Sequence, residues 1–248
     1  MRKTLLMTTA LVALTAATNV YAEDEHITDD ITISENVTIN EDNAANYATT
    51  GNISVTGGEI TASGDAGLIQ LSDGNKKTLS ISGGELIFSN GAGIYAEGVD
   101  GQYNTTAADM NITGGNITVK DGSEITLVGN ADMNIGGDAN ITMDYKGDTP
   151  SNEHDGGILH EGKNGNLNIS GGVINLTGKV AKIERGGYDG DWFYNSETGE
   201  TMGENDGMKP APEGADEDNY HISTGNINIT GGEINLKDGA RISLTEKN

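Results

Sequence analysis

Apolar and polar residues alternate with period two on both sides of a recurring glycine pair. The pattern is cleanest in DMNITGGNITV (Asp109–Val119). It returns as NISVTGGEITA (Asn52–Ala62), TLSISGGELIF (Thr78–Phe88), NLNISGGVINL (Asn166–Leu176) and NINITGGEINL (Asn226–Leu236), with a degraded copy, DMNIGGDANIT, at Asp132–Thr142. Two positions before the first glycine stand Val55, Ile81, Ile112, Ile169 and Ile229, and four before it Ile53, Leu79, Met110, Leu167 and Ile227. After the glycines the phase resumes, with Ile60, Leu86, Ile117, Ile174 and Ile234, then Ala62, Phe88, Val119, Leu176 and Leu236. Small polar residues fill the alternate positions. Such alternation marks a strand with one buried and one wet face. Each copy therefore predicts two short strands flanking a Gly-Gly corner, where missing Cβ atoms permit an otherwise strained turn.

A third strand follows each pair after a turn such as SGDA (Ser63–Ala66), SNGA (Ser89–Ala92), KDGS (Lys120–Ser123) or KDGA (Lys237–Ala240), all rich in residues that tolerate tight turns. The strands read GLIQL from Gly67, GIYAE from Gly93, EITLV from Glu124, GILHE from Gly157, VAKIE from Val180 and RISLT from Arg241. Three short strands cannot bury an apolar side alone, but stacked copies build a continuous core. The glycine pairs begin at 57, 83, 114, 136, 171 and 231, so the shortest interval, 22 residues, reads as the bare coil and the excesses as corner insertions. The expectation is an all-β, parallel, right-handed β-helix of about seven coils, each with three strands. An antiparallel sandwich would need hairpin turns and no three-strand cycle.

The first 22 residues, MRKTLLMTTALVALTAATNVYA, read as a signal peptide: Arg2 and Lys3 precede an apolar run that ends in a Val20-Tyr21-Ala22 cleavage site. The apolar run is too short to span a membrane. Export with cleavage after Ala22 is expected, leaving a β-helix domain over residues 23–248 that places itself outside a bacterial cell or on its surface. The chain has no cysteine, so its stability rests on the core and not on disulfides. Residues Glu23–Glu41 read as an atypical first coil. Insertions are expected at Gly98–Ala108, Asp144–Gly156 and Gly186–His221. The last gathers Tyr188, Trp192, Phe193, Tyr194 and Tyr220, including the single tryptophan, in a chain only 4% aromatic. A loop this long is functional or disordered. The expectation splits it, with Tyr188–Tyr194 packing or binding and the stretch to Asn219 solvated.

A net charge of −24 changes the list of partners. Nucleic acid and anionic membrane surfaces both want Lys/Arg patches, so neither is expected. Cations suit the charge better. The coils with the GG-x-[IL] motif, spanning about Asn52–Thr245, resemble bacterial surface β-helix proteins, in particular the passenger domains of autotransporter adhesins. The resemblance implies a rod presenting loops to a glycan or to a host or cell-surface component. The chain departs from that family in having no C-terminal membrane β-barrel, and FxxN tetrads are missing, FSNG at Phe88 being the nearest approach.

The expected function is therefore adhesive or carbohydrate-binding and non-catalytic, with Tyr188, Trp192, Phe193 and Tyr194 as the ligand-binding candidates. Asp189 and Asp191 are weak candidates for a Ca²⁺ site, since the nonapeptide of calcium-binding β-rolls is absent. A polysaccharide-processing enzyme is the alternative. It needs two carboxylates about 5–10 Å apart. Asp144, Asp155, Glu161, Asp189 and Asp191 could supply them, but none falls in a recognisable catalytic constellation. His154 and His160 read as incidental rather than as metal or proton-transfer groups. No cofactor is called for. A structural autotransporter passenger comes third. The strand-rich C-terminal end, with no distinct capping element, raises the expectation of end-to-end self-association.

Overall fold

A computed structural model describes residues 27–64, 66–72, 74–97, 106–145, 156–162, 164–186, 193–195, 200–202 and 225–245. The strands are, in order, β1 (Ile31–Ile33), β2 (Val37–Ile39), β3 (Ala48–Thr49), β4 (Ile53–Val55), β5 (Glu59–Ser63), β6 (Gly67–Leu71), β7 (Thr78–Ser89), β8 (Gly93–Glu97), β9 (Asp109–Lys120) and β10 (Glu124–Val128). They continue as β11 (Met133–Ile135), β12 (Asn140–Asp144), β13 (Gly157–Glu161), β14 (Leu167–Thr177), β15 (Lys182–Gly186), β16 (Phe193–Asn195), β17 (Glu200–Met202), β18 (Ile227–Lys237) and β19 (Arg241–Thr245). A single 3-10 turn, Ala44–Tyr47, is the only helical element among the described residues.

The fold is a β-solenoid of two all-parallel sheets between which successive strands alternate. The seven-stranded sheet runs β19-β15-β13-β10-β8-β6-β3, one strand from each coil. The ten-stranded sheet takes the other two segments of every coil. Register is kept residue for residue: Ile31, Ile53, Leu79, Met110, Met133, Leu167 and Ile227 form one row. Another row joins Ile39, Ala62, Phe88, Val119, Met143, Leu176 and Leu236. These rows point inward and are buried through the interior coils, from Ile53 to Leu176. A one-residue slip would turn each row out to water, which is why the alternation pins the register so firmly.

The glycine pair does less than expected and more. It does not end a strand in β7, β9, β14 and β18, which run through it for 11 or 12 residues. Instead it bends the strand, with register shifts at the pair between β7 and β9 and between β14 and β18. The two segments on either side thus share one sheet, and the coil has two sheets where three separate faces were expected. The second glycine takes positive φ, 98° at Gly84, 91° at Gly115, 80° at Gly172 and 88° at Gly232, a region that L side chains avoid. Backbone crowds the pair as well. A Cβ on Gly83 would lie 2.7 Å from the Thr56 carbonyl oxygen, and one on Gly115 would lie 3.1 Å from that of Gly83. In the Asn52–Ala62 copy the segments are separate strands, β4 and β5, and in the degraded copy they are β11 and β12. That coil has one residue fewer before its glycines and two more after, yet Ile135 still pairs with Ile112 and Ile141 with Ile117. Apolar register overrides the glycine spacing.

One strand begins two residues later than the alternation suggests. VAKIE from Val180 was the expected strand, but β15 is KIERG, Lys182–Gly186, because Lys182 pairs with Gly157. Val180 and Ala181 close the preceding turn as core residues, and Arg185 is drawn into the interior. At the second insertion, Asp144 belongs to β12 and Tyr145 is a core residue whose hydroxyl donates to the Ser123 carbonyl. In the third, β16 and β17 form an antiparallel ladder with Phe193 opposite Met202 and Tyr194 opposite Thr201. The expected signal peptide, the greater part of each insertion and Tyr220 lie outside the described residues.

Two glycine substitutions separate conformational strain from crowding. Gly122 has φ of 77° with nothing within 4 Å of a built Cβ, whereas Gly115 combines φ of 91° with backbone contact. Gly122→Ala should cost about 1 kcal/mol, and Gly115→Ala about 2–3 kcal/mol, read as the shift in urea midpoint at constant m-value.

Candidate functional site

The outer face of the seven-stranded sheet is chemically unlike the rest of the rod. Alternation sends Leu68, Ile94, Ile125, Ile158 and Ile183 into the core and leaves a middle outer row of Ile69, Tyr95, Thr126, Leu159, Glu184 and Ser243. Ile69, Thr126 and Leu159 are buried although they point outward. The equivalent outer positions of the ten-stranded sheet, such as Ser80, Asn111 and Asn134, keep contact with water. Each of the three expected insertions is joined to a strand of this sheet, after β8, before β13 and after β15.

Glycine paves one edge of the face. Gly67, Gly93 and Gly157 occupy the first outer position of their strands. The Tyr95 ring folds back over Gly93, where a Cβ would come within 2.6 Å of its Cζ and 2.7 Å of its Cε2. Its hydroxyl donates to the Gly91 carbonyl at 3.3 Å. Missing side-chain atoms at Gly93 thus let a partly exposed aromatic ring lie against the sheet.

Four carboxyl groups share the face: Glu97 on β8, Glu124 on β10, Glu161 on β13 and Glu184 on β15. Glu97 and Glu161 both face the Val128 position of β10 from opposite sides, two coil steps or about 10 Å apart along the axis. Burial pushes the Glu97 carboxyl above its ordinary range. Glu124 is pushed up to about 7, first by burial and then by the charge of Glu161, with the Thr126 hydroxyl and Lys182 opposing. The Glu124 residue as a whole is half-buried, and it is desolvation at the titrating carboxyl that raises it. The Thr126 hydroxyl lies close enough to act on Glu124 but falls short of hydrogen-bond geometry. Glu184 is held differently, paired with Lys182 at 3.1 Å and accepting from the Ser243 hydroxyl at 2.8 Å. Near pH 7 Glu124 is therefore partly protonated.

Behind the face lies a polar inner row: Thr49, Gln70, Ala96, Leu127, His160, Arg185 and Leu244. The His160 Nε2–H donates to the Ala131 carbonyl at 2.6 Å, and its Nδ1 has no hydrogen-bond partner among the described residues. Burial and the Arg185 charge lower it to about 4, so the imidazole is neutral at pH 7. Arg185, fully buried, donates to the carbonyls of Gly165, Gly162, Gly186, Asn164 and His160. It clamps the turn after β13 to the end of β15, and Gly225 must lack a Cβ because that atom would sit 2.5 Å from the guanidinium. Carbonyl dipoles hold this cation in place of a carboxylate.

Of the expected site residues, Tyr188, Asp189, Asp191 and Trp192 lie outside the described residues, as do His154 and Asp155. Phe193 and Tyr194 are neighbours on β16. Asp144 and Glu161 are not brought together: one ends a strand of the ten-stranded sheet, the other a strand of the seven-stranded sheet. His160 and Glu161 point to opposite faces. Among the described residues, no group of three or more His, Cys, Asp or Glu side chains is placed to hold a metal ion. No helix among them is long and apolar enough to cross a membrane. Sequence reasoning missed Tyr95, Glu97, Glu124 and Thr126. Their signal was an outer row holding isoleucine, tyrosine and leucine where the other sheet holds serine and asparagine. No protein family, curated protein or solved structure matches the chain.

Two opposed titrations make a testable pair. The folded Glu124 carboxyl binds its proton more tightly than the unfolded one, so its contribution is full below pH 4.5 and is lost as pH rises through about 7. The folded His160 binds its proton less tightly, so its contribution is present above pH 6.5 and is lost as pH falls through about 4. Each swing amounts to about 3 kcal/mol. In the parent they largely cancel between pH 4.5 and 6.5. Urea denaturation across this range should show stability rising with pH in Glu124→Gln and falling with pH in His160→Gln.

Proposed function

We propose that the chain is an exported, surface-displayed β-solenoid that binds a glycan on the outer face of its seven-stranded sheet and does not cleave it. The reading is carried by one observation: the Tyr95 ring lies against Gly93, one strand away from the partly withdrawn carboxyl of Glu124. An aromatic face covers the apolar side of a sugar ring. A partly protonated Glu124, with a hydroxyl at Thr126, matches a ligand whose hydroxyls both donate and accept. The export signal, the acidic composition and the resemblance to adhesin passenger domains point the same way.

An enzyme acting on polysaccharide is the second reading, and Glu124 is the observation that favours it. A carboxyl titrating near 7 is partly protonated at neutral pH, as a general acid must be.

Isothermal titration of the exported protein against a glycan panel, with an assay for released reducing sugar, tests both. Binding without product is expected. Tyr95→Ala should weaken it at least tenfold and Glu124→Gln only a few-fold. Product whose release disappears in Glu124→Gln would establish the enzyme instead. Binding that survives Tyr95→Ala but is lost in Trp192→Ala would move the site off the sheet face.

A further inference from the structure

The Tyr95 ring, the Glu124 carboxyl and the Thr126 hydroxyl meet at one spot on the sheet face. In the register of β8 and β10, Gly93 pairs with Glu124 and Tyr95 with Thr126, so a ring folded back over Gly93 lies beside Glu124. Thr126 stands on the outer side between Tyr95 and Leu159, and it is only 5% exposed. Its Oγ1 has no hydrogen-bond partner among the described residues. The hydroxyl is aimed at Glu124, on which it acts without reaching bonding geometry. A desolvated hydroxyl left unpaired costs free energy that an incoming polar group recovers.

The charge around this spot is one-sided. Glu97 on β8 and Glu161 on β13 flank Val128, and both oppose ionisation of Glu124. The described outer positions of the seven strands hold two cations. Lys182 is paired with Glu184 at 3.1 Å, and Arg241 donates to the Lys179 carbonyl at 2.8 Å. Lys182 favours the ionised Glu124, but by less than Glu161 or Glu97 opposes it. Among the described residues neither Glu97 nor Glu124 has an ion pair. Lys182 also shows how this face seats an ammonium. Its stem crosses Gly157, where a Cβ would lie 3.2 Å from its Cγ, and its head reaches a carboxylate. Gly93 and Glu124 repeat those parts, with the Tyr95 ring in place of a lysine stem.

We propose that the site takes a glycan bearing a free amine, whose ammonium pairs with Glu124, lies against the Tyr95 ring and donates to the Thr126 hydroxyl. The inference rests on the glycan reading of this face and specifies its ligand. A carboxylate, an accepting hydroxyl and a π face are together complementary to a charged group that only donates. An acetamide or hydroxyl at the same place gains nothing from the charge, and an acidic sugar is repelled by it.

Three tetrasaccharides on one β-1,4 backbone test this, those of glucosamine, N-acetylglucosamine and glucose, which differ only at C2. In isothermal titration at about pH 7 and about 0.15 M salt, the amine form should bind about fivefold tighter than either neutral form. The preference should drop below about twofold in Glu124→Gln. Thr126→Val should weaken the amine form about two- to threefold and leave the urea midpoint unchanged or raised, since that hydroxyl has no described partner to lose. Acidification from about pH 7 to about pH 5.5 adds a test of sign. It charges the amine more fully, which favours binding, but it also protonates Glu124, with Glu97 raised in the same direction. The groups facing Glu124 are Tyr95 and Glu97 on β8, Glu161 on β13, and Lys182 and Glu184 on β15. The affinity of the amine form should therefore fall towards that of the neutral forms. Equal affinity for all three, preference for a neutral form, or an amine affinity that rises on acidification would overturn the inference and leave the glycan reading standing. Silence across the whole glycan panel would overturn both.

Discussion

Every coil of this protein must return its chain to the same place on the coil before it. That demand is set by parallel hydrogen bonding at a spacing of about 4.8 Å, and side chains either stack on their like or break the ladder. Aliphatic side chains tolerate the repetition, and volume is traded along a row rather than within a coil: Ala62, Phe88, Val119 and Met143 follow one another at one position. Asparagine tolerates it on the wet side. The Asn134 amide donates to Asn111 at 2.9 Å, Asn168 to Asn134 at 2.8 Å and Asn228 to Asn168 at 2.8 Å. Each such bond is worth about 1 kcal/mol or less, but a charge in the same row would repel its own copy.

The glycine pair serves that demand at the one place where backbone runs closest to backbone. The carbonyl of one coil's glycine turn lies under the glycines of the next, so no side chain fits between them. The departures from the repeat are equally instructive. Arg185 stands where other coils place Ala96 or Leu127, and its guanidinium is received by three carbonyls of the neighbouring turn and by those of His160 and Gly186. The outer face beside it replaces small polar residues with Tyr95, Leu159 and glutamates whose carboxyls are partly out of water. One sheet is the regular wall of the rod. The other is where composition, burial and titration all depart from the repeat.

Period-two alternation, recurring with its glycines, was enough to read the solenoid, the inward rows and most strand positions, because in a parallel stack each residue's partner is its own counterpart one coil away. Where the alternation was ambiguous the reading slipped. VAKIE and KIERG keep the same phase, and only pairing with Gly157 decides between them. Nor could alternation tell that the glycine pair bends one sheet and does not join two, since the same missing Cβ atoms serve either geometry. The site was less legible. Its residues come from different strands, with Tyr95 and Glu124 29 positions apart and Glu124 and Glu161 37 apart, and no local motif links them. The burial that lifts Glu124 and the room that Gly93 makes for Tyr95 depend on what lies across a sheet or beyond a coil. Sequence by itself determined the repeat and therefore the stack. Tertiary structure alone decided which carboxyls lose water, because desolvation is a property of neighbours in space.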